Sequence, residues 1–131
     1  VGDMLLKSVA DRILKCIRTI DYVSRINTEE IECTVTRMGG DEFTILLSNI
    51  DNIQDVSKIG QRILNEISQP FEIGAHDIHI TASIGITIYP IDTEDPDDLL
   101  KYADIAMYQV KDKGRNNYQF YTESMNAAIV E

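Results

Sequence analysis

Two adjacent glycines followed by two adjacent carboxylates are the residues of this sequence best suited to chemistry. Gly39 and Gly40 permit a close approach of the backbone to a ligand, and Asp41 and Glu42 follow them directly. Neighbouring carboxylates repel each other unless a cation lies between them. Hard oxygen ligands favour Mg²⁺, which often takes one or two carboxylates together with substrate phosphates. This spacing predicts a metal-assisted phosphoryl-transfer site, although a plain hairpin turn with two solvated acids fits the same residues.

A second group of interest is cationic. Lys111, Lys113 and Arg115 lie within five residues of one another in a chain whose formal net charge is −10. Lysine and arginine beyond the end of a helix can bind a triphosphate, arginine through its bidentate fork. The alternative is that these cations only compensate the negative end of the helix dipole.

Arg18 and Asp21 form a third candidate site. Their spacing of three residues near the end of an amphipathic segment would allow them to clasp a guanine edge and a phosphate together. A local ion pair between residues i and i+3 explains the same spacing. His76 and His79 have no acidic or cysteine partner at ligand spacing, and we interpret them as surface or packing residues.

Composition restricts the class of protein. The length of 131 residues suits one domain, and 44% apolar with 26% charged residues is typical of globular proteins. The strongly acidic balance disfavours nucleic acid and anionic lipid as partners. No apolar run is long enough for a membrane span, and the N-terminus does not resemble a signal peptide. Cys16 and Cys33 lack metal-ligand spacing, so we expect reduced thiols and a cytoplasmic protein.

Hydrophobic periodicity predicts the elements that must position these residues. Apolar residues at three- and four-residue steps predict helices, β-branched runs predict strands, and Gly or Pro punctuates both. The predicted order is helix 3–20, strands 31–38 and 43–48, helix 51–68, two strands within 71–89, helix 96–113 and strand 117–121. This order predicts an α+β fold, an α/β sandwich with a central, mostly antiparallel sheet flanked by helices.

Several ordered blocks of this sequence resemble the GGDEF family of diguanylate cyclases. Residues 37–43 carry the whole signature, and three further blocks lie in the family's order, so that the matches span about 115 residues. These blocks are Gly2-Asp3 with Leu5-Leu6, residues 81–86, and residues 103–111 together with Gly114-Arg115-Asn116. The resemblance implies a nucleotide-cyclase, ferredoxin-like fold and the condensation of two GTP into cyclic di-GMP plus two pyrophosphates. It further implies Mg²⁺ or Mn²⁺ as cofactor and a homodimer for catalysis.

The same resemblance implies roles for individual residues. Asp41 would bind the metal and act as base for the attacking 3′-hydroxyl, and Glu42 would be a second metal ligand. Gly39 and Gly40 would let the turn pass under the nucleotide. Asp3 would read the guanine edge. Lys111 and Arg115 would bind the phosphates of GTP. Arg18 and Asp21 would form the site at which the product, cyclic di-GMP, inhibits the enzyme.

The sequence departs from the family pattern in two places. The family's first strand, with further metal and guanine ligands, is absent before the first helix, so we expect this chain alone to be inactive. In addition, 17 residues separate Asp21 from Gly39, more than the family has, which indicates an insertion at 26–37 and puts product inhibition through Arg18 and Asp21 in doubt. The alternative function is therefore an inactive module that binds GTP or cyclic di-GMP and regulates an attached domain.

The end of the sequence suggests the domain organisation. Residues 117–126 resemble the exit from a GGDEF domain into an EAL phosphodiesterase domain. We therefore expect the GGDEF domain to cover residues 1–121, with 122–131 forming a linker or helix toward a downstream EAL domain.

Overall fold

The computed structural model describes residues 2–24, 32–39, 42–48, 50 and 52–125, and it describes no side chain of residues 19–24, 32, 33 or 39. Three helices and six strands alternate along the described part of the chain. They are α1 (Gly2–Ser24), β1 (Glu32–Gly39), β2 (Glu42–Ser48), α2 (Ile53–Ile67), β3 (Phe71–Ile73), β4 (His76–Ile78), β5 (Ser83–Ile86), α3 (Pro96–Asp112) and β6 (Asn117–Phe120). This mixture of helices and strands confirms the predicted α+β class.

The helix ends follow from local sequence. Asn52 caps α2, since its side chain accepts a hydrogen bond of 2.9 Å from the backbone N–H of Gln54. Asp95 caps α3 in the same way through Asp97, and Pro96 occupies the first turn, where its missing N–H costs nothing. Gly114 then adopts φ 112° directly after the C-cap of α3, a conformation that favours glycine.

The chain divides into two compact units, residues 1–80 and 81–131. In the first, α1 packs against α2 and β3 and also contacts β1. Its core consists of aliphatic side chains, one thiol and one aromatic ring: Val9, Ile13, Cys16, Ile17, Ile59, Ile63, Leu64, Ile67, Phe71 and Ile73. Full burial of each such large apolar side chain stabilises the fold by roughly 1.5–3 kcal/mol.

Arg12 joins α1 to the end of α2. Its guanidinium donates to the carbonyl oxygens of Glu66 and Gln69 at 3.0 and 2.7 Å, and to that of Pro70 at 2.9 Å. The same guanidinium lies 3.5 Å from the ring centroid of Phe71. The cation therefore binds one carbonyl in the last turn of α2 and two in the segment that follows, and it covers a buried ring.

The second unit packs α3 against the parallel pair of β5 and β6. Ile105, Ala106 and Tyr121 form its buried cluster, and the ring of Tyr121 stacks on that of Tyr102 with centroids 4.2 Å apart. Gly85 allows the closest approach between strand and helix. A Cβ at this position would lie 1.9 Å from the carbonyl oxygen of Ala103, so no larger residue fits without movement of the backbone.

The strands pair within each unit, and one strand differs from the prediction. Within the described residues, β1–β2 and β3–β4 pair antiparallel in the first unit, and β5–β6 pair parallel in the second. The second strand predicted within 71–89 is divided into β4 and β5 by residues 79–82. The division has a physical reason, since β4 turns back onto β3 through Gly74 at φ 63°, while β5 pairs with β6.

Candidate functional site

The glycine-acid motif lies at the end of a long antiparallel hairpin. The register runs from Glu32 paired with Ser48 to Gly39 paired with Glu42, and it shifts between Arg37 and Gly39. The hairpin predicted around this motif is thereby confirmed. Glu42 is exposed at its tip. Gly40 and Asp41, which lie between the paired positions in the sequence, are outside the described residues, and so is the burial of Gly39.

The donor chemistry at this tip fits a divalent cation in combination with a phosphate ligand. Glu42 supplies an exposed carboxylate, and Asp41 is its neighbour in the sequence. Within the described part of the chain, no group of three or more His, Cys, Asp or Glu residues could hold a metal ion by itself. One or two carboxylates with substrate oxygens is a common binding mode of Mg²⁺, so the available residues suit a metal that binds together with a nucleotide.

Asp3 and Arg37 meet across the interface between α1 and β1. The guanidinium Nη1 of Arg37 lies 3.8 Å from Oδ1 of Asp3. The side chain of Asp3 is 96% exposed and that of Arg37 is 44% exposed. The carboxylate that the resemblance assigns to the guanine edge is therefore linked to the strand that leads into Gly39.

The predicted phosphate ligands lie at the C-terminal end of α3. Lys111 is half-buried in the last turn, with its ammonium 5.9 Å from the ring centroid of Tyr108. Arg115 is exposed and follows Gly114 in a turn closed by its backbone N–H, which donates to the carbonyl of Val110 at 2.9 Å. Arg115 and Asn116 have φ values of 66° and 53°, which are uncommon for residues with a side chain. Strained backbone of this kind is concentrated at functional sites.

The remaining predicted site lies on α1. Arg18 is exposed, and Asp21 belongs to the same helix although its side chain lies outside the described residues. The insertion predicted at 26–37 overlaps β1, whose residues from Glu32 onward extend the hairpin by pairing with β2. Residues 25–31 lie outside the described part.

The structure brings some predicted site residues together within each unit. In residues 1–80, Asp3 contacts Arg37 on β1, the strand that ends at Gly39. The next strand, β2, begins at Glu42. In residues 81–131, Lys111 and Arg115 share one helix end. An open groove of about 300 Å³ in the first unit contains none of the predicted site residues and is lined by Ser8, Asp11, Arg12, Lys15, Phe71 and Glu72.

Sequence reasoning missed the contact that Arg37 makes. Arg37 lies within the signature block of residues 37–43, and the resemblance implies no role for it. The sequence does contain a signal for this contact. Arg37 lies two residues before Gly39 and pairs with Phe43, so its side chain lies on one defined face of the hairpin. The left-handed conformation of Arg115 was likewise not predicted.

Comparison with known proteins agrees with this architecture. The family described as "Diguanylate cyclase, GGDEF domain" matches residues 32–117, which is more than half of the chain. The structure is similar to a solved GGDEF domain of TpbB, also called YfiN, from Pseudomonas aeruginosa, with a TM-score of 0.84 and 28% identity. That match covers 100% of this chain and 70% of the other. The chain therefore belongs to the GGDEF family.

Curated relatives and a second solved structure extend this result. The chain is 40% identical over 131 residues to MucR of P. aeruginosa, named a bifunctional diguanylate cyclase/cyclic di-GMP phosphodiesterase, with 100% of this chain and 17% of the relative covered. It is 32% identical over 130 residues to the cyclic di-GMP phosphodiesterase PdeR of Escherichia coli, covering 99% of this chain and 18% of the relative. The solved structure of an EAL/GGDEF domain protein from M. capsulatus matches with a TM-score of 0.75 and 43% identity. The match covers 93% of this chain and 71% of the other. The chain thus spans less than a fifth of these two curated relatives.

None of the helices in the described residues has the length and apolarity needed to cross a bilayer.

Proposed function

We propose that this domain is a diguanylate cyclase domain that condenses two GTP molecules into cyclic di-GMP and two pyrophosphates and acts as a homodimer. The observation that carries the proposal is the hairpin of β1 and β2, which ends in the intact family signature with Glu42 exposed beside Gly39. The 40% identity to a relative named as a bifunctional cyclase and phosphodiesterase supports it.

The proposed chemistry assigns each step to a residue of this chain. Asp41 accepts the proton of the 3′-hydroxyl of one GTP, and that oxygen attacks the α-phosphate of the GTP held by the partner protomer, with pyrophosphate leaving. Lys111 and Arg115 bind phosphate oxygens and stabilise their negative charge. Asp3 accepts hydrogen bonds from the guanine edge.

Asp41 and Glu42 would hold the divalent cation, which we propose to be Mg²⁺ or Mn²⁺. Such a cation neutralises phosphate charge and acidifies a nearby hydroxyl when bound. Two neighbouring carboxylates are also easier to keep ionised beside a cation than alone. Both residues follow glycines, so the backbone can pass close beneath a nucleotide.

A second candidate function is regulatory. Some relatives are named as phosphodiesterases, among them PdeR and NbdA, the latter 33% identical over 124 residues with 95% of this chain and 14% of the relative covered. In this alternative the domain binds GTP or cyclic di-GMP without turnover and controls an attached EAL-type phosphodiesterase domain. Arg18 and Asp21 would then be candidates for the cyclic di-GMP site.

The experiment that separates these functions uses the full-length protein and its Asp41→Asn variant. For a cyclase, the wild type forms cyclic di-GMP from GTP with Mg²⁺, and the variant loses at least about 100-fold in rate because the base is gone. The matched control is Asp55→Asn on α2, which should retain full activity. GTP binding without any cyclic di-GMP from the wild type would contradict the cyclase function and support the regulatory one.

A further inference from the structure

We propose that Arg37 is a positioning residue for guanine recognition, because it holds the carboxylate of Asp3 at a fixed place relative to the hairpin tip. This inference rests on the proposed function, since it concerns how the same site selects its nucleotide. Arg37 is not one of the residues expected to bind guanine, metal or phosphate, and the inference gives it a role in the selection of guanine.

The first step of the argument is the geometry of the contact. Asp3 lies in the first turn of α1, and Arg37 is the third residue from the end of β1. Nη1 of Arg37 and Oδ1 of Asp3 are 3.8 Å apart. The contact therefore joins the beginning of a helix to the strand end that carries Gly39, two residues farther along the chain.

The second step is the direction from which Arg37 reaches the helix. Arg37 is paired with Phe43 across the hairpin, and residues paired in this way place their side chains on the same face of the sheet. α1 contacts β1, and the ion pair shows that the face carrying Arg37 is directed toward the start of α1. Pairing within the hairpin thus places Arg37 on the face of β1 that meets the start of α1.

The third step concerns what such a contact can do. An ion pair in which one partner is 96% exposed contributes little to stability, because water screens both charges. A carboxylate at the first turn of a helix is free to adopt several rotamers unless a neighbour restricts it. The charge attraction of the 3.8 Å ion pair favours those rotamers of Asp3 that approach Arg37, and the lone pairs of the carboxylate stay available to a ligand.

The fourth step links this restriction to the choice of base. Guanine presents two donors on one edge, its N1–H and its 2-amino group, and a single carboxylate can accept from both. Adenine lacks this pair of donors, and hypoxanthine lacks the amino group. A carboxylate that is fixed relative to the hairpin tip, which carries the proposed metal ligands, favours guanine more strongly than a mobile one, because less side-chain freedom is lost on binding.

The test measures binding of the α,β-methylene analogues of GTP and ITP, which resist cleavage at that bridge, by calorimetry with the full-length protein. We expect Arg37→Ala to weaken binding of the GTP analogue about tenfold and that of the ITP analogue much less, so that the preference for guanine falls. Arg37→Lys should restore part of the preference. In an Asp3→Asn background, Arg37→Ala should cause no further loss, because the residue through which it acts is already altered.

The matched control is Arg62→Ala, which removes another half-exposed arginine from an ion pair, here with Glu66 at 3.5 Å on α2. It should leave both affinities unchanged. Since each variant is judged by a ratio of two affinities measured on the same sample, partial unfolding would not mimic the expected result.

Two results would overturn the inference while leaving the proposed function intact. One is that Arg37→Ala lowers the affinity for the GTP analogue and for the ITP analogue by the same factor. The other is that Arg37→Ala weakens binding of the GTP analogue as much in the Asp3→Asn background as in the wild type. Arg37 would then act independently of Asp3. Failure of the wild type to bind the GTP analogue at all would instead overturn the proposed function and this inference together.

Discussion

At the scale of single residues, Gly85 shows how close packing restricts a position that also belongs to the family resemblance. A Cβ on Gly85 would come within 1.9 Å of the Ala103 carbonyl oxygen and 2.5 Å of the Met107 backbone nitrogen. Both atoms belong to the backbone of α3, so rotation of a side chain cannot relieve the contact. The glycine thus lets β5 and α3 approach each other closely.

We predict that Gly85→Ala lowers the free energy of unfolding by about 3 kcal/mol, because β5 must move away from α3 and nearby contacts are lost. The measurement is urea denaturation followed by circular dichroism. Gly2→Ala is the matched control, since a Cβ there would meet no atom within 4 Å. An equal, small effect of both substitutions would show that the strand and helix can separate without cost.

Residue types at the candidate site were predictable from sequence, whereas their conformations and contacts were not. The glycines and acids of residues 39–42 are recognisable because their chemistry depends on identity and spacing. The contact between Asp3 and Arg37 joins residues 34 positions apart, so it depends on how α1 packs on β1. The left-handed turn at Arg115 is set by closure onto Val110, which local propensity alone does not specify.

At the scale of elements, Arg12 connects two helices and a strand. Three carbonyl oxygens at the end of α2 and beyond accept hydrogen bonds from one guanidinium, which also covers Phe71. Lysine has a single charged nitrogen without the planar fork, so it cannot reproduce this arrangement. The contact orders the chain between α2 and β3.

We predict that Arg12→Lys destabilises the protein by about 2 kcal/mol, because hydrogen bonds from a charged donor to the carbonyls of Glu66, Gln69 and Pro70 are lost. The matched control is Arg62→Lys, the same substitution in an exposed i,i+4 ion pair on α2, expected to change stability by less than about 0.5 kcal/mol. Denaturant midpoints of the two variants provide the comparison. A midpoint for Arg12→Lys as high as that of its control would contradict this role.

The elements themselves were predicted better than their pairing. All three helices and the hairpin of β1 and β2 follow from periodicity and turn residues, with boundaries displaced by at most a few residues. The interruption between β4 and β5 was missed because alternating residues at 79–88 predict a strand regardless of which partner it has. Pairing is a property of the tertiary structure, since it requires knowledge of which strands come together.

At the scale of the whole molecule, each unit is held by its own apolar core, and a titratable thiol lies in the first of them. Burial raises the pKa of the Cys16 thiol above its ordinary value of 9.0, and the nearby carboxylate of Glu66 raises it further. Arg62 acts in the opposite direction. The thiol consequently stays protonated in the folded state at pH values where the unfolded chain has begun to lose this proton.

Stability should therefore fall as the pH rises above about 9, since a group with a raised pKa in the folded state binds more protons there than in the unfolded state. We predict that the wild type loses more unfolding free energy between pH 8 and 10.5 than the Cys16→Ala variant does. The measurement is urea denaturation at a series of pH values. Parallel pH profiles for the two proteins would show that Cys16 makes no such contribution.

The strand arrangement has a practical consequence for any preparation of these 131 residues. Within the described residues of the first unit, β2 is hydrogen-bonded to a strand only along its β1 side. An unsatisfied strand border rich in β-branched residues can template the addition of a foreign strand. We expect concentrated samples to self-associate through this border, and a fall in mean mass on dilution, followed by light scattering, would detect it.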